Sequence, residues 1–393
     1  MRVLHVIPSL SPRRGGPTEA VIEMVRALNA RGIDAEIATT DEDLSPALDP
    51  VPIDHRGVPV RFFPRRFART PLFGNFTCSP AFASWLDAKI DTYDLLHVHA
   101  LFSHLPTTAM RTARRRGMPY INRPLGMLGH WPLRQSALRK RAYLRLVERA
   151  NLQHAAALHF VSASEQAEAA DLRLTAPGVV IPHGVPVPLL LPQPGRQMRQ
   201  RFGLPPDRPI VLFLGRLHAK KGLDLLLRAL ALLPEPRPVL LIAGEGPERA
   251  SLEKLEQELH LRQDIRWLGF VEGKVRQLCL QGADLFALTS HHENLGMAVL
   301  EALASGTPVL LSPPVALANA VTRHRLGVVV PLEIHAVRDG LVEGLTHMKT
   351  GPDCAVRRSF VETEHDWPAN ARALAELYAK MVEYNGSRRT RSR

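Results

Sequence analysis

Only three cysteines, Cys78, Cys279 and Cys354, occur in 393 residues. They lie far apart, match no metal-ligand spacing and cannot all pair, so a disulfide scaffold and a cysteine-based zinc site are excluded and a reducing cytoplasm is the expected setting. No run of about 18 apolar residues exists, which excludes a membrane-spanning helix and leaves only peripheral contact, for instance at the inner face of the cell membrane. Val3 to Ile7 is too short for a secretory core, Pro8 ends it and no small-residue cleavage site follows; the segment reads as a first buried strand. Low-complexity tracts and repeats of about 20 to 50 residues are also missing, so an array or solenoid is excluded.

What remains is ordinary globular composition, 45% hydrophobic and 22% charged. The length exceeds the roughly 250 to 300 residues at which one core stops growing, which points to two domains. The formal charge of +12 is uneven: residues 101 to 150 hold eleven Lys and Arg against one acid, Glu148. Such a field attracts nucleic acid, anionic lipid or a phosphorylated acceptor. No nucleic-acid-binding motif accompanies it, and nucleic acid is set aside as a partner.

Apolar runs of strand length alternate with helical patterns: RVLHVI, a helix from about Thr18 to Arg31, DAEIAT, VRFF, DLLHVHA, PYIN and LHFVS. A second series follows, with PIVLFLG, LDLLLRALALL, PVLLIAGEG, a helix from about Glu248 to His260, DIRWLGF, DLFALTS, AVLEALA, TPVLLS and LGVVV. This alternation predicts two parallel sheets covered by helices, each a Rossmann-like α/β domain. A proline-rich stretch from about Pro182 to Arg208 reads as the linker, with a short helix of its own. The expected division is 1–185, 186–366, a last helix within 367–387, and a disordered basic tail, 388–393. Asn385-Gly386 is taken as that helix's stop signal.

The strongest local signal is HHENLGMAVLEALASGTPVLLS, residues 291–312. Glu293 sits in a loop after a strand, and Glu301 lies eight residues on, at most about 12 Å away along a helix axis. Between them the helix N-terminus presents amides around Leu295, Gly296 and Met297, a place for a diphosphate. A lone pair of acids at this spacing is more often an amphipathic helix facing solvent; the flanking glycines and strands reverse that. In FLGRLHAKKGLDLLLRAL, residues 213–230, Gly215, Arg216 and Lys221 follow a strand's carboxyl end, where open α/β sheets bind ligands. Arg216 offers a planar fork and Lys221 a movable point charge for two phosphates.

LLIAGEGPE carries Gly244 and Gly246 but Arg249 where a dinucleotide fingerprint has its third glycine, so nicotinamide is rejected. That turn either lines the nucleotide pocket by backbone or is structural. Phe270, in WLGFVEG, is read both as a base-holding side chain and as core. In the N-terminal half, Gly15 and Gly16 precede a helix and either approach a ligand or cap the turn. Alternation puts His97 and His99 on one face, with His99 nearer the strand's carboxyl end and the better site candidate; a buried structural histidine remains the other reading. The acidic run Asp41 to Asp43 reads as solvated loop, not as a metal site.

These motifs, in this order, resemble the large retaining glycosyltransferase family that includes bacterial mannosyltransferases, sucrose synthases and capsule and exopolysaccharide enzymes, the family 4 or group 1 type. The likeness covers nearly the whole chain and is most specific from Pro209 to Ser312. It implies the GT-B fold, with two Rossmann-like domains facing each other across a cleft, the last helix crossing back, and transfer of a hexose from a nucleotide-diphosphate sugar, GDP-mannose or UDP-glucose, to a glycan or lipid-linked acceptor. By carry-over, Arg216 and Lys221 bind the diphosphate, Glu293 the sugar hydroxyls and Glu301 the ribose, while His99 lies near the donor sugar. His99, Glu293, Arg216 and Lys221 form the expected catalytic set. Gly15, Gly16, Gly215, Gly244, Phe270, Leu295, Gly296, Met297 and Glu301 line the donor site beside the two cations and Glu293. Since cations and a helix dipole supply positive charge, neither a metal nor a resident cofactor is expected.

The chain departs from many relatives in reading INRPLGMLGHW, with Arg123 separated from Gly126, where they carry an Arg-Gly pair. LRQSALRKRAYLRLVERA, residues 133–150, mixes Arg with Leu, Tyr and Val, and reads either as a membrane-contacting segment or as a basic solvated helix. The rival functions are a catalytically silent scaffold or binding subunit and a nucleotide-sugar epimerase of the same fold.

Overall fold

A computed structural model describes residues 1–42, 51–66, 76–134, 137–347 and 354–391. The chain divides into two compact units, Met1–Gly184 with Trp367–Arg393, and Val185–Asp366.

The first unit is built on eight strands: β1 (Arg2–Ser9), β2 (Asp34–Thr40), β3 (Ile53–His55), β4 (Val58–Phe63), β5 (Leu95–His99), β6 (Tyr120–Arg123), β7 (Ala157–Phe160) and β8 (Gly178–Val180). Their order across the sheet is β3-β4-β2-β1-β5-β6-β7-β8, parallel throughout except for the antiparallel β3–β4 pair. Both faces are covered, which is why the inner strands read as unbroken apolar runs. Val3, Ile7, Leu95 and Ile121 pack with Val21 and Val25 of the helix Gly16–Asn29 and with Ala371, Leu374 and Tyr378 of the final helix. Leu4, Val6, Leu96 and Val98 meet Phe82, Leu86, Leu105 and Met110 on the other face. Strands β3 and β8 escaped the sequence reading because three residues at a sheet edge show no usable periodicity.

The final helix runs Trp367–Arg391, past the stop expected at Asn385-Gly386 and through residues 388–391, where the sequence predicts a disordered tail. A glycine inside a helix costs only about 1 kcal/mol relative to alanine, so it does not compel an end. Asn385 also gives its side-chain amide to the Gly117 carbonyl, 3.0 Å away, which anchors that turn.

The second unit holds six parallel strands: β9 (Ile210–Leu214), β10 (Val239–Ala243), β11 (Ile265–Gly269), β12 (Leu285–Leu288), β13 (Val309–Leu311) and β14 (Gly327–Val329). Their order is β11-β10-β9-β12-β13-β14. The chain works outward from β9 in one direction and then restarts beside it with β12. The proline-rich stretch carries one short helix, Pro194–Phe202, held by the buried Met198.

Candidate functional site

In an open parallel sheet the loops at the carboxyl ends of two neighbouring strands diverge where the strand order reverses, leaving a crevice for a ligand. In the second unit that reversal lies between β9 and β12. The loop after β9 carries Gly215, Arg216, Lys220 and Lys221; the loop after β12 carries Glu293. Lys221 Nζ donates to Glu293 Oε2 across this point, with both side chains largely buried. Two further bonds fasten the loops: His291 N–H to the Lys220 carbonyl at 2.8 Å, and the Thr289 hydroxyl to the Gly222 carbonyl at 2.7 Å. Gly222 is required there, since its φ is +62° and a β-carbon would stand 2.0 Å from the Thr289 carbonyl oxygen.

Glu293 is held by backbone from a third side, through Glu293 N–H to the Pro314 carbonyl at 3.1 Å and Ala316 N–H to the Glu293 carbonyl at 3.0 Å. Burial works to raise its carboxyl, but Lys221, Lys220 and the direct bond from Lys221 outweigh it and hold the group below its ordinary value. Lys220 is lowered too, but for a different reason: burial lowers it, with Glu293 acting against that. Lys220 was missed in the sequence, where two adjacent lysines gave no means of telling which one turns inward.

Gly296 caps the helix Met297–Ala304 with φ 80°, and Val299 and Leu300 amides return to its carbonyl at 2.8 and 3.2 Å. Leu295 is buried as core, so only its backbone is available to a ligand. Glu301, one helical turn and more beyond, is ion-paired with Arg276 of the helix Gly273–Gly282. Arg276 gave no sequence signal, because a single arginine on an amphipathic helix is normally solvated. Phe270 follows β11 and is 49% exposed, so it is not core. Arg216 is exposed, and Gly244 passes against Gly215 so closely that a β-carbon would fall 1.9 Å from the Gly215 carbonyl oxygen.

In the first unit the reversal lies between β1 and β5. Gly15, with φ 83°, caps the helix that Gly16 begins after β1, while His99 ends β5. His99 presents no ring nitrogen outward. It is fully buried, its Nδ1 3.4 Å from Arg123 Nη1 and its Nε2 3.1 Å from His5 Nδ1. Of the two sequence readings, the buried one describes this side chain. Pairing of β1 with β5 sets His5 beside His97, and the two-residue period sets His99 on the same face.

His5, His97 and His99 offer ligand atoms within 4.8 Å of one another, the one group of this kind among the described residues. Their protons argue against a metal. Arg123 can only donate, so His99 Nδ1 accepts and its Nε2–H donates to His5. His159 gives Nε2–H to the Ile181 carbonyl at 2.8 Å, its Nδ1 accepts from His97 Nε2 at 3.2 Å, and His97 Nδ1 accepts from the Tyr378 hydroxyl at 2.6 Å. Every ring is neutral and in the same tautomer, and a dication here would face a guanidinium instead of a carboxylate.

The acidic run departs from its solvated reading. Glu42 takes Arg14 at 3.0 and 2.8 Å and Arg65 at 3.3 Å, and Asp41 accepts the Arg65 amide at 3.1 Å, because basic residues on neighbouring segments converge there. Asp43 lies outside the described residues.

Two α/β units, each with polar loops gathered at a strand-order reversal, define a doubly wound, Rossmann-like class of fold, and comparison with known proteins narrows it. Residues 15–184 match the glycosyl transferase 4-like domain, and residues 195–350 match glycosyl transferases group 1. Among curated relatives, D-inositol 3-phosphate glycosyltransferase 2 of Catenulispora acidiphila is 29% identical over 413 residues, covering 97% of this chain and 94% of its own. Among solved structures, sucrose-phosphate synthase from Thermosynechococcus elongatus superposes with a TM-score of 0.78 at 23% identity, covering 98% of this chain and 99% of its own. Anabaena HepE in complex with UDP and glucose gives 0.75 at 19% identity, covering 97% and 100%. The fold is GT-B. The chain belongs to the group 1 glycosyltransferases and is a glycosyltransferase enzyme.

Proposed function

We propose that this enzyme transfers a hexose, with retention of anomeric configuration and without a divalent metal, from a nucleotide-diphosphate sugar to a glycan or lipid-linked acceptor in polysaccharide or glycoconjugate synthesis. The observation that carries the reading is the Lys221–Glu293 pair at the strand-order reversal of the second unit. A lysine and a carboxylate held together in a crevice suit a ligand with an anionic diphosphate next to a hydroxylated sugar. Arg216 and Lys221 take the phosphates, with the amides at the start of the Met297–Ala304 helix beside them; Glu293 takes sugar hydroxyls; Glu301, steered by Arg276, takes the ribose; the half-exposed Phe270 face suits a base. HepE is seen with UDP and glucose, which favours UDP-glucose over GDP-mannose as the first donor to try.

Charge that develops on the leaving phosphate is met by fixed cations and a helix N-terminus, the electrostatic term that dominates many transfers. The acceptor attacks from the face the phosphate leaves. Exposed Leu138 and Leu146, 85% and 80% accessible, stand among exposed Arg139, Arg141 and Arg145, a surface suited to an anionic membrane carrying a lipid-linked acceptor.

The test is release of nucleoside diphosphate from a panel of UDP- and GDP-sugars in excess chelator. Turnover of one donor supports the reading; activity that returns only with added divalent metal removes the metal-independent part, and silence with no donor binding leaves a scaffold. Co-sedimentation with liposomes, with and without anionic lipid, tests the membrane surface, which is rejected by binding that ignores both lipid charge and salt.

A further inference from the structure

Directly after His99 the chain makes a turn that alanine and phenylalanine seldom make: Ala100 has φ 73° and Phe102 φ 54°. Positive φ in residues with side chains is strained and persists only where the surroundings over-determine it, most often at functional sites. This turn leaves the carboxyl end of β5 beside the β1–β5 reversal, where an α/β sheet receives its ligand.

The over-determination comes from two adjacent residues of β6. Asn122 gives its side-chain amide to the carbonyls of Val98 and Ala100, at 3.3 and 3.2 Å. Arg123 accepts the Ala100 amide on its own carbonyl at 2.9 Å, while its guanidinium reaches back to His99 at 3.4 Å and also bonds the His183 ring. Arg123 is wholly buried, yet its hydrogen-bonded partners on the side chain are imidazoles, not carboxylates. A buried guanidinium is costly even with the buried Glu165 carboxylate acting on it through space, and lysine, whose three donors sit on one compact ammonium instead of a planar fork, could not hold both rings in the same geometry. The arrangement is one that packing alone does not call for.

We propose that Arg123 is a positioning residue of the transferase: Asn122 and the Arg123 carbonyl grip the left-handed Ala100–Phe102 turn, and the Arg123 guanidinium holds His99, which leads into it, so that the backbone of that turn is fixed where the sugar acceptor is received. This rests on the proposed transferase reading and adds to it the part of the first unit that orders the acceptor.

The discriminating experiment pairs Arg123→Lys with Ala100→Gly. The single lysine variant is expected to lower turnover at saturating donor at least tenfold, with UDP affinity, a property of the second unit, unchanged within twofold. Adding Ala100→Gly is expected to restore most of the lost turnover, because glycine holds a positive φ without a clamp. Wild-type turnover in Arg123→Lys overturns the proposal, as does a folded Arg123→Lys enzyme whose defect glycine does not relieve. Should Arg123→Lys fail to fold, Asn122→Asp removes the amide donor from the same turn, and the same loss and the same glycine rescue are expected. If the wild-type protein turns over no donor at all, the transferase reading has failed by itself. Amide exchange at Ala100–Phe102 then decides the clamp: faster exchange in Arg123→Lys upholds it, and unchanged exchange rejects it.

Discussion

The hydroxyl of Tyr378, on the final helix, donates to Nδ1 of His97 on β5 at 2.6 Å, joining residues 281 apart in sequence. It heads one chain of neutral rings, His97 and His159, beside a second that runs from Arg123 through His99 to His5; protonating His159, His99 or His5 sets two donors against each other, and protonating His97 forces the Tyr378 hydroxyl to turn. Burial, with help from Arg123, depresses His5 and His159 to about 3. His97 and His99 are lowered for the same leading reason. The unfolded chain takes up these protons near 6.5 and the folded one does not. Above 6.5 these groups leave stability unaffected; as pH falls from 6.5 toward 3 the fold weakens, by up to about 1.4 kcal/mol per pH unit for each such histidine. Urea midpoints across this range should fall more steeply than carboxylate titration alone allows, and a flat profile between 6.5 and 5 would show the rings are not buried neutral.

Removing the head of that chain tests it directly. Tyr378→Phe keeps the ring packed in the apolar cluster but leaves His97 Nδ1 buried without its donor, so a loss of about 1 to 3 kcal/mol is expected at pH 7.5. Calorimetry or denaturant unfolding would measure it.

At the donor site, Glu293→Gln and Lys221→Ala should each lower turnover by about 10²-fold or more, since each removes a charge proposed to act on the reacting groups. The two differ in stability. Lys221→Ala leaves a largely buried carboxylate without its partner, and its cost, of order 3 kcal/mol, should shrink as pH falls and Glu293 takes a proton. Glu293→Gln should cost less. Equal stabilities for the two variants would contradict the buried pair.

The parallel sheets were legible because strands covered on both faces leave long apolar runs such as IVLFL and VLLIA, and glycines mark the turns after them. The Lys221–Glu293 pair could be read for a related reason: both residues stand in loops that follow such runs. Arg123 and Tyr378 could not. Both are polar residues in apolar stretches, and what makes them matter is which rings they face across strands and from a helix distant in sequence. The helix end at Arg391 was misread because Asn-Gly weakens a helix locally while a tertiary bond from Asn385 holds it.

Phe270, 49% exposed after β11, should be nearly silent in folding and informative in binding. Phe270→Ala is expected to change stability by less than about 0.5 kcal/mol. Stacking of a base on an aromatic ring contributes about 1 to 3 kcal/mol, so the donor KM should rise roughly tenfold with kcat held. Unchanged KM would remove Phe270 from the base site.

Two glycines separate strain from collision. Gly15 has φ 83° and open space, with nothing within 4 Å of where a β-carbon would stand, whereas at Gly244 that atom would lie 1.9 Å from the Gly215 carbonyl oxygen. With ψ −152° Gly15 lies in a region that essentially only glycine occupies, so Gly15→Ala should cost about 1 to 3 kcal/mol from backbone strain alone. Gly244→Ala must push β10's exit away from the loop that carries Arg216 and Lys221, so its cost should exceed about 3 kcal/mol and donor affinity should fall with it. Unfolding midpoints and UDP calorimetry on both variants decide the matter: if Gly244→Ala binds UDP normally, the turn is structural only and does not shape the donor site.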